Sequence, residues 1–74
     1  MSKLPVFSGR QCVRVLEKAG FVIARDKSSH IVMKRQDPAS RVTVPDHREL
    51  APGTLRAIIR QAGMSVDGFA ALLD

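Results

Sequence analysis

The stretch from Gly20 to Arg35, GFVIARDKSSHIVMKR, constrains the fold more than any other part of the chain. It predicts a β-hairpin. Phe21 to Arg25 and Ile31 to Lys34 carry the β-branched and apolar residues that suit a pleated, half-buried surface. Asp26, Lys27, Ser28 and Ser29 lie between them, where Asp and Ser favour a turn by bonding to nearby backbone. His30 opens the second strand. Strand alternation puts His30, Val32 and Lys34 on one face and Ile31, Met33 and Arg35 on the other. Ile31 and Met33 are expected in the core, which turns His30 and Lys34 to solvent. Phe21 and Ile23 of the first strand are expected to face inward.

Upstream, Ser8 is placed to cap a helix, with Gln11 at capping-box spacing and Phe7 able to pack on Cys12 as a hydrophobic staple. Cys12, Val15, Leu16 and Ala19 recur at helical spacing, and Gly20 stops the helix. Downstream, Asp37-Pro38 marks a turn within 36–40. Arg41 to Val44 form a third strand, Val42 and Val44 inward, ended by Pro45. Pro52 suits the first turn of a second helix. Leu55, Ile58, Ile59 and Ala62 form its apolar stripe, and Gly63 its stop. Ser65 caps a short last helix from Val66 to Leu73. Short turns join the strands, so the sheet is an antiparallel meander. Its buried face must be covered by helices. The fold class is α+β, α-β-β-β-α with both main helices on one face, in the manner of a double-stranded-RNA-binding domain. Residues 1–74 are expected to form a single domain.

The net charge of +5 points to a polyanion or an acidic protein as partner. The charge is uneven: residues 1–45 carry +6 and residues 46–74 carry −1. Arg25, Lys27, Lys34, Arg35 and Arg41 flank the hairpin around His30, as phosphate contacts or as an ordinary solvated face. His30 itself is either a solvated strand residue or an acid/base group, for which the ordinary histidine pKa of about 6.5 is suited. His47, after Pro45, is a loop histidine or a second acid/base group. Ser28 and Ser29 are turn residues, and Ser29 is also placed to orient His30 or a phosphate. Two histidines and one cysteine are too few for a convincing structural metal site, so neither metal nor cofactor is expected. Cys12 allows no internal disulfide. Phe7, Phe21 and Phe69 fall at core positions, which argues against a base-stacking platform. No apolar run reaches membrane-spanning length and no charged leader precedes one, so a cytoplasmic location is expected.

The chain also resembles a known family. Leu16-Glu17-Lys18-Ala19-Gly20-Phe21, Ser29-His30, Val44-Pro45-Asp46-His47 and Pro52-Gly53-Thr54-Leu55-Arg56, followed by Gln61-Ala62-Gly63, are together similar to the HicA toxins. The resemblance implies an mRNA-cleaving endoribonuclease needing no metal, with His30 as its catalytic histidine. It also implies a HicB-type antitoxin partner that holds the toxin inactive. Arg10 and Arg14 would extend the RNA surface along the first helix. The family usually has Gly-Ser-His at the turn, where this chain has Ser28-Ser29-His30. If that position needs positive φ, Ser28 adds strain. Two other functions fit the same residues: an RNA-binding module that does not cut, and a domain whose basic face serves an acidic protein.

Overall fold

The computed structural model describes residues 6–27 and 29–73. The elements are α1 (Gly9–Lys18), β1 (Val22–Lys27), β2 (His30–Gln36), β3 (Ala39–Pro45), α2 (Pro52–Gln61) and α3 (Val66–Ala71). The strands form one antiparallel sheet in the order β1-β2-β3. This is the expected α-β-β-β-α arrangement with a short helix after it.

The ends of the helices are set by local chemistry. The Gln11 amide donates to Ser8 Oγ at 3.1 Å, and the Ser8 amide donates to Gln11 Oε1 at 2.9 Å. This reciprocal pair satisfies donors that the first turn would otherwise leave unbonded. At the other end of α1 the Phe21 amide donates to the Leu16 carbonyl at 2.9 Å and the Gly20 amide to Glu17 at 3.1 Å. Gly20 takes the left-handed conformation, φ 98°, that this closure requires. α2 closes in the same way. Met64 donates to Ile59 and Gly63 to Arg60, with Gly63 at φ 73°.

The core forms against one face of the sheet. Ile31 and Met33 of β2 and Val42 and Val44 of β3 meet Cys12, Val15 and Leu16 of α1 and Leu55, Ile58 and Ile59 of α2, all buried. Burying an aliphatic side chain of this size contributes about 1.5–3 kcal/mol. Phe7 is buried before α1, and its ring centre lies 5.3 Å from that of Phe69 on α3. The lead-in is thereby tied to the last helix.

Four expectations need correction. Asp26 and Lys27, expected in the turn, continue β1 and pair with Ile31 and His30. Ile23 does not join the core but is 41% exposed. It stands opposite Met33, on the helix side of the sheet. However, the helices pack toward β3, and all of β1 is exposed at the far edge. The third strand begins at Ala39 rather than Arg41, because Asp37-Pro38 alone makes the reversal and Gln36 already pairs with Ala39. The last helix stops at Ala71, short of Leu73. Ser28 lies outside the described residues, and so does the strain expected there.

A β-bulge in β1 has the largest effect on the face that carries His30. The register runs Val22 to Lys34 and Ile23 to Met33, then jumps to Arg25 opposite Val32. Ala24 is the extra residue. A one-residue insertion reverses which face the following side chains take. Arg25 and Lys27 therefore leave the face of Ile23 and join that of His30. Asp26 turns to the helix side, opposite Ile31.

Candidate functional site

The outer face of the sheet is built from three cross-strand rows. Val22, Lys34 and Arg41 form the first, Arg25, Val32 and Thr43 the second, and Lys27, His30 and Pro45 the third. Arg25, Lys27, Lys34 and Arg41 are all exposed, and no acidic side chain stands in any of these rows. A face carrying several cations and no carboxylate in its rows attracts anions.

His30 is exposed at the first position of β2. A strand runs on each side of it, with Lys27 and Pro45 as its register partners. Ser29 Oγ lies 3.5 Å from His30 Nδ1, at the long limit of a hydrogen bond. When Nδ1–H faces that hydroxyl, Nε2 carries the lone pair and can accept a proton. The ladder continues one step past His30, for the Asp46 amide donates to the Ser29 carbonyl at 2.7 Å. Ser29 is thus fixed through its backbone beside the imidazole.

His47 follows two residues after Pro45 and is exposed. Its carbonyl accepts from the Gly9 amide at 2.8 Å. The loop after β3 is thereby pinned to the start of α1. Gly9 itself is buried against β3, and a Cβ there would run into the Pro45 carbonyl oxygen. Only glycine allows this approach.

Arg35 stands apart from the other cations that the sequence groups around His30. It lies on the helix side, as strand alternation from Ile31 and Met33 demands. Its guanidinium donates to the carbonyls of Ala62 at 3.1 Å and Ala19 at 3.4 Å, and its Nε to Pro38 at 2.9 Å. It also sits 4.4 Å from the centre of the Phe21 ring. Ala19 and Ala62 are the C-caps of α1 and α2. A cation there neutralises the negative ends of both helices. These bonds tie Arg35 to both helix ends, away from the outer face that carries His30.

Arg10 is also engaged on the helix side. Its guanidinium bonds Asp26 at 3.2 Å and Asp46 at 3.0 Å. The expected extension of the basic surface along α1 is thus offset at Arg10 by two carboxylates. Cys12 is buried in α1, and burial pushes its thiol up to about 12, so it offers no thiolate at neutral pH. Among the described residues, no group of three or more His, Cys, Asp or Glu could hold a metal ion. Among the same residues, no helix is long and apolar enough to cross a membrane.

Comparison with known proteins bears on what such a face does. Residues 9–64, from α1 to just beyond α2, match the family model described as the HicA toxin of bacterial toxin–antitoxin. No individually curated protein matches the chain.

Proposed function

The chain belongs to the HicA toxin family of bacterial toxin–antitoxin systems, and from that membership and the geometry around His30 we propose that it is a metal-independent endoribonuclease acting on mRNA. The observation that carries the proposal is the exposed imidazole of His30 on an outer sheet face that also carries the exposed cations Lys27, Arg25, Lys34 and Arg41. RNA has an internal nucleophile, the ribose 2′-OH. His30 Nε2 takes its proton, and the 2′-oxygen attacks the adjacent phosphorus. The P–O5′ bond breaks, leaving a 2′,3′-cyclic phosphate and a 5′-hydroxyl. The leaving oxygen takes a proton from the imidazolium or from water. No redox step is involved, and atoms and charge balance within the strand.

Lys27 and Arg25 lie where they can neutralise charge that builds on the phosphorane. Lys34 and Arg41, paired in one row farther along the same face, would hold the backbone on one side of the cleaved bond. Ser29 orients the imidazole. His47 lies close enough in sequence to the Pro45 end of the site to serve as a secondary group. The family is one of toxins with cognate antitoxins. The fitting inhibitor is an antitoxin of the HicB type that lays an acidic surface over His30 and its cations. Such a toxin works in the cytoplasm, as a single domain over residues 1–74.

The direct test is incubation of the purified protein with end-labelled RNA in EDTA. Cleavage with cyclic-phosphate ends is expected. Binding without cleavage would make the protein an RNA-binding module, and cleavage only with added divalent metal would overturn the histidine mechanism.

A further inference from the structure

The His30 position is bracketed by two strands, and one side chain on the opposite face of the sheet holds both. Asp26 immediately precedes Lys27, which pairs with His30 on one side. Asp46 immediately follows Pro45, which pairs with His30 on the other. Arg10 donates through Nη1 to Asp26 at 3.2 Å and through Nη2 to Asp46 at 3.0 Å. Its fork therefore spans the sheet from β1 to β3, beneath the start of β2. Two further contacts put Arg10 there. The Gly9 amide bonds the His47 carbonyl, and Gly9 has no Cβ to hold α1 away from Pro45. The bulge at Ala24 turns Asp26 toward the helix side while Lys27 faces outward.

We infer that Arg10 is a positioning residue for His30, clipping the two strands that flank the histidine so that its imidazole keeps one place relative to the cations of the outer face. The inference rests on the reading of His30 as the catalytic group.

The electrostatics fit this role better than a stabilising one. The side chains of Arg10, Asp26 and Asp46 keep 54%, 40% and 28% of their accessibility, and ion pairs this exposed add little to global stability. What the bridge fixes is local. β1 is an edge strand and is exposed along its whole length. A short turn joins it to β2, so without the bridge the Lys27–His30 end is restrained chiefly by its own ladder. A lysine at position 10 would present a compact point charge on a flexible stem, without the planar fork that gives each carboxylate its own nitrogen.

The full chain is compared with Arg10→Ala, Arg10→Lys, the Asp26→Asn/Asp46→Asn pair and His30→Ala. The readouts are kcat and KM on a labelled RNA, the salt dependence of RNA binding, and NMR resonances of the His30 imidazole. Circular dichroism checks folding. Arg10→Ala is expected to lower kcat about tenfold, as a small misplacement of a reacting group does. KM and the salt slope should stay near wild type, and the His30 resonances should shift or broaden. The carboxamide pair should give the same loss, with none added when combined with Arg10→Ala. Arg10→Lys should restore less than half of it. An unchanged kcat with a raised KM and a shallower salt slope would make Arg10 an RNA contact instead. Unchanged kcat together with unchanged His30 resonances would reduce the bridge to surface decoration. If His30→Ala cleaves like wild type, the catalytic assignment fails, and the His30 resonances still decide whether Arg10 fixes the ring.

Discussion

The Arg35 guanidinium lies 4.4 Å from the centre of the buried Phe21 ring, at the point where the C-caps of α1 and α2 converge. One strand residue thereby closes two helices and covers an aromatic ring. Removing it takes away the guanidinium bonds to both C-cap carbonyls and the cation over the Phe21 ring. Arg35→Ala should cost about 2–3 kcal/mol, from the lost charge-assisted hydrogen bonds and the cation–π contact. In a domain of this size that corresponds to a drop in Tm of about 10–20 °C. Thermal unfolding measures it. RNA affinity measured well below the lowered Tm should change little, which separates this residue from the outer-face cations.

His30→Ala should remove RNA cleavage and toxicity while the fold persists. General acid–base catalysis contributes about 10²–10⁴-fold, and alanine cannot transfer a proton. The side chain is exposed, so little apolar burial is lost. Cleavage of labelled RNA by wild type, His30→Ala and His47→Ala is the measurement. Loss confined to His47→Ala would move the catalytic role to the loop after β3.

Lys34→Ala should weaken RNA binding without abolishing cleavage at saturating RNA. Each phosphate contact on a single strand contributes about 0.7 to the slope of log K against log salt, and the variant's slope should be shallower by that amount. Binding titrations at several salt concentrations read it directly. An unchanged slope would mean that the row of Val22, Lys34 and Arg41 lies off the RNA path.

Stability should fall in mild alkali because of Cys12. Burial pushes its thiol from the ordinary value of 9.0 up to about 12. The unfolded chain releases that proton from about pH 9, while the folded chain keeps it. Between those values the unfolded state binds fewer protons, so stability is full below pH 9 and declines as pH rises toward 12. At about 1.4 kcal/mol per unit, roughly 2 kcal/mol is lost by pH 10.5. The chain has no tyrosine to add its own titration in this range. Urea unfolding at pH 7, 9 and 10.5 should show the decline, and Cys12→Ala should flatten it.

What could be read from the sequence was what local chemistry decides. Ser8 and Gln11 stand at capping-box spacing, Gly20 and Gly63 sit at the two helix ends, and Asp37-Pro38 marks the second turn. The alternation of Ile31 and Met33 with His30 and Lys34 is equally plain, because one face must be buried. The bulge was not legible. Ala24 carries no signal for it, and simple alternation would have put Arg25 and Lys27 on the helix side. The exposure of Ile23 was not legible either, because pattern gives the face of a strand but not how far the helices reach across the sheet. Arg35 shares the parity of Ile31 and Met33, and that parity alone puts it on the helix side. The bridge from Arg10 to Asp26 and Asp46 depends on Gly9 meeting Pro45, a contact between residues far apart in the chain, which no local pattern encodes.

The bulge at Ala24 also bears on how this protein behaves in a crowd of its own copies. A strand at the margin of a sheet offers unpaired amides and carbonyls to any passing chain, and a straight β1 with Val22 and Ile23 exposed would invite growth into a fibre. The extra residue breaks the regular spacing of those groups, and Arg25 and Lys27 add like charges that repel an identical strand. The irregularity that brings two cations to the face of His30 therefore also makes β1 a poorer template for a further strand.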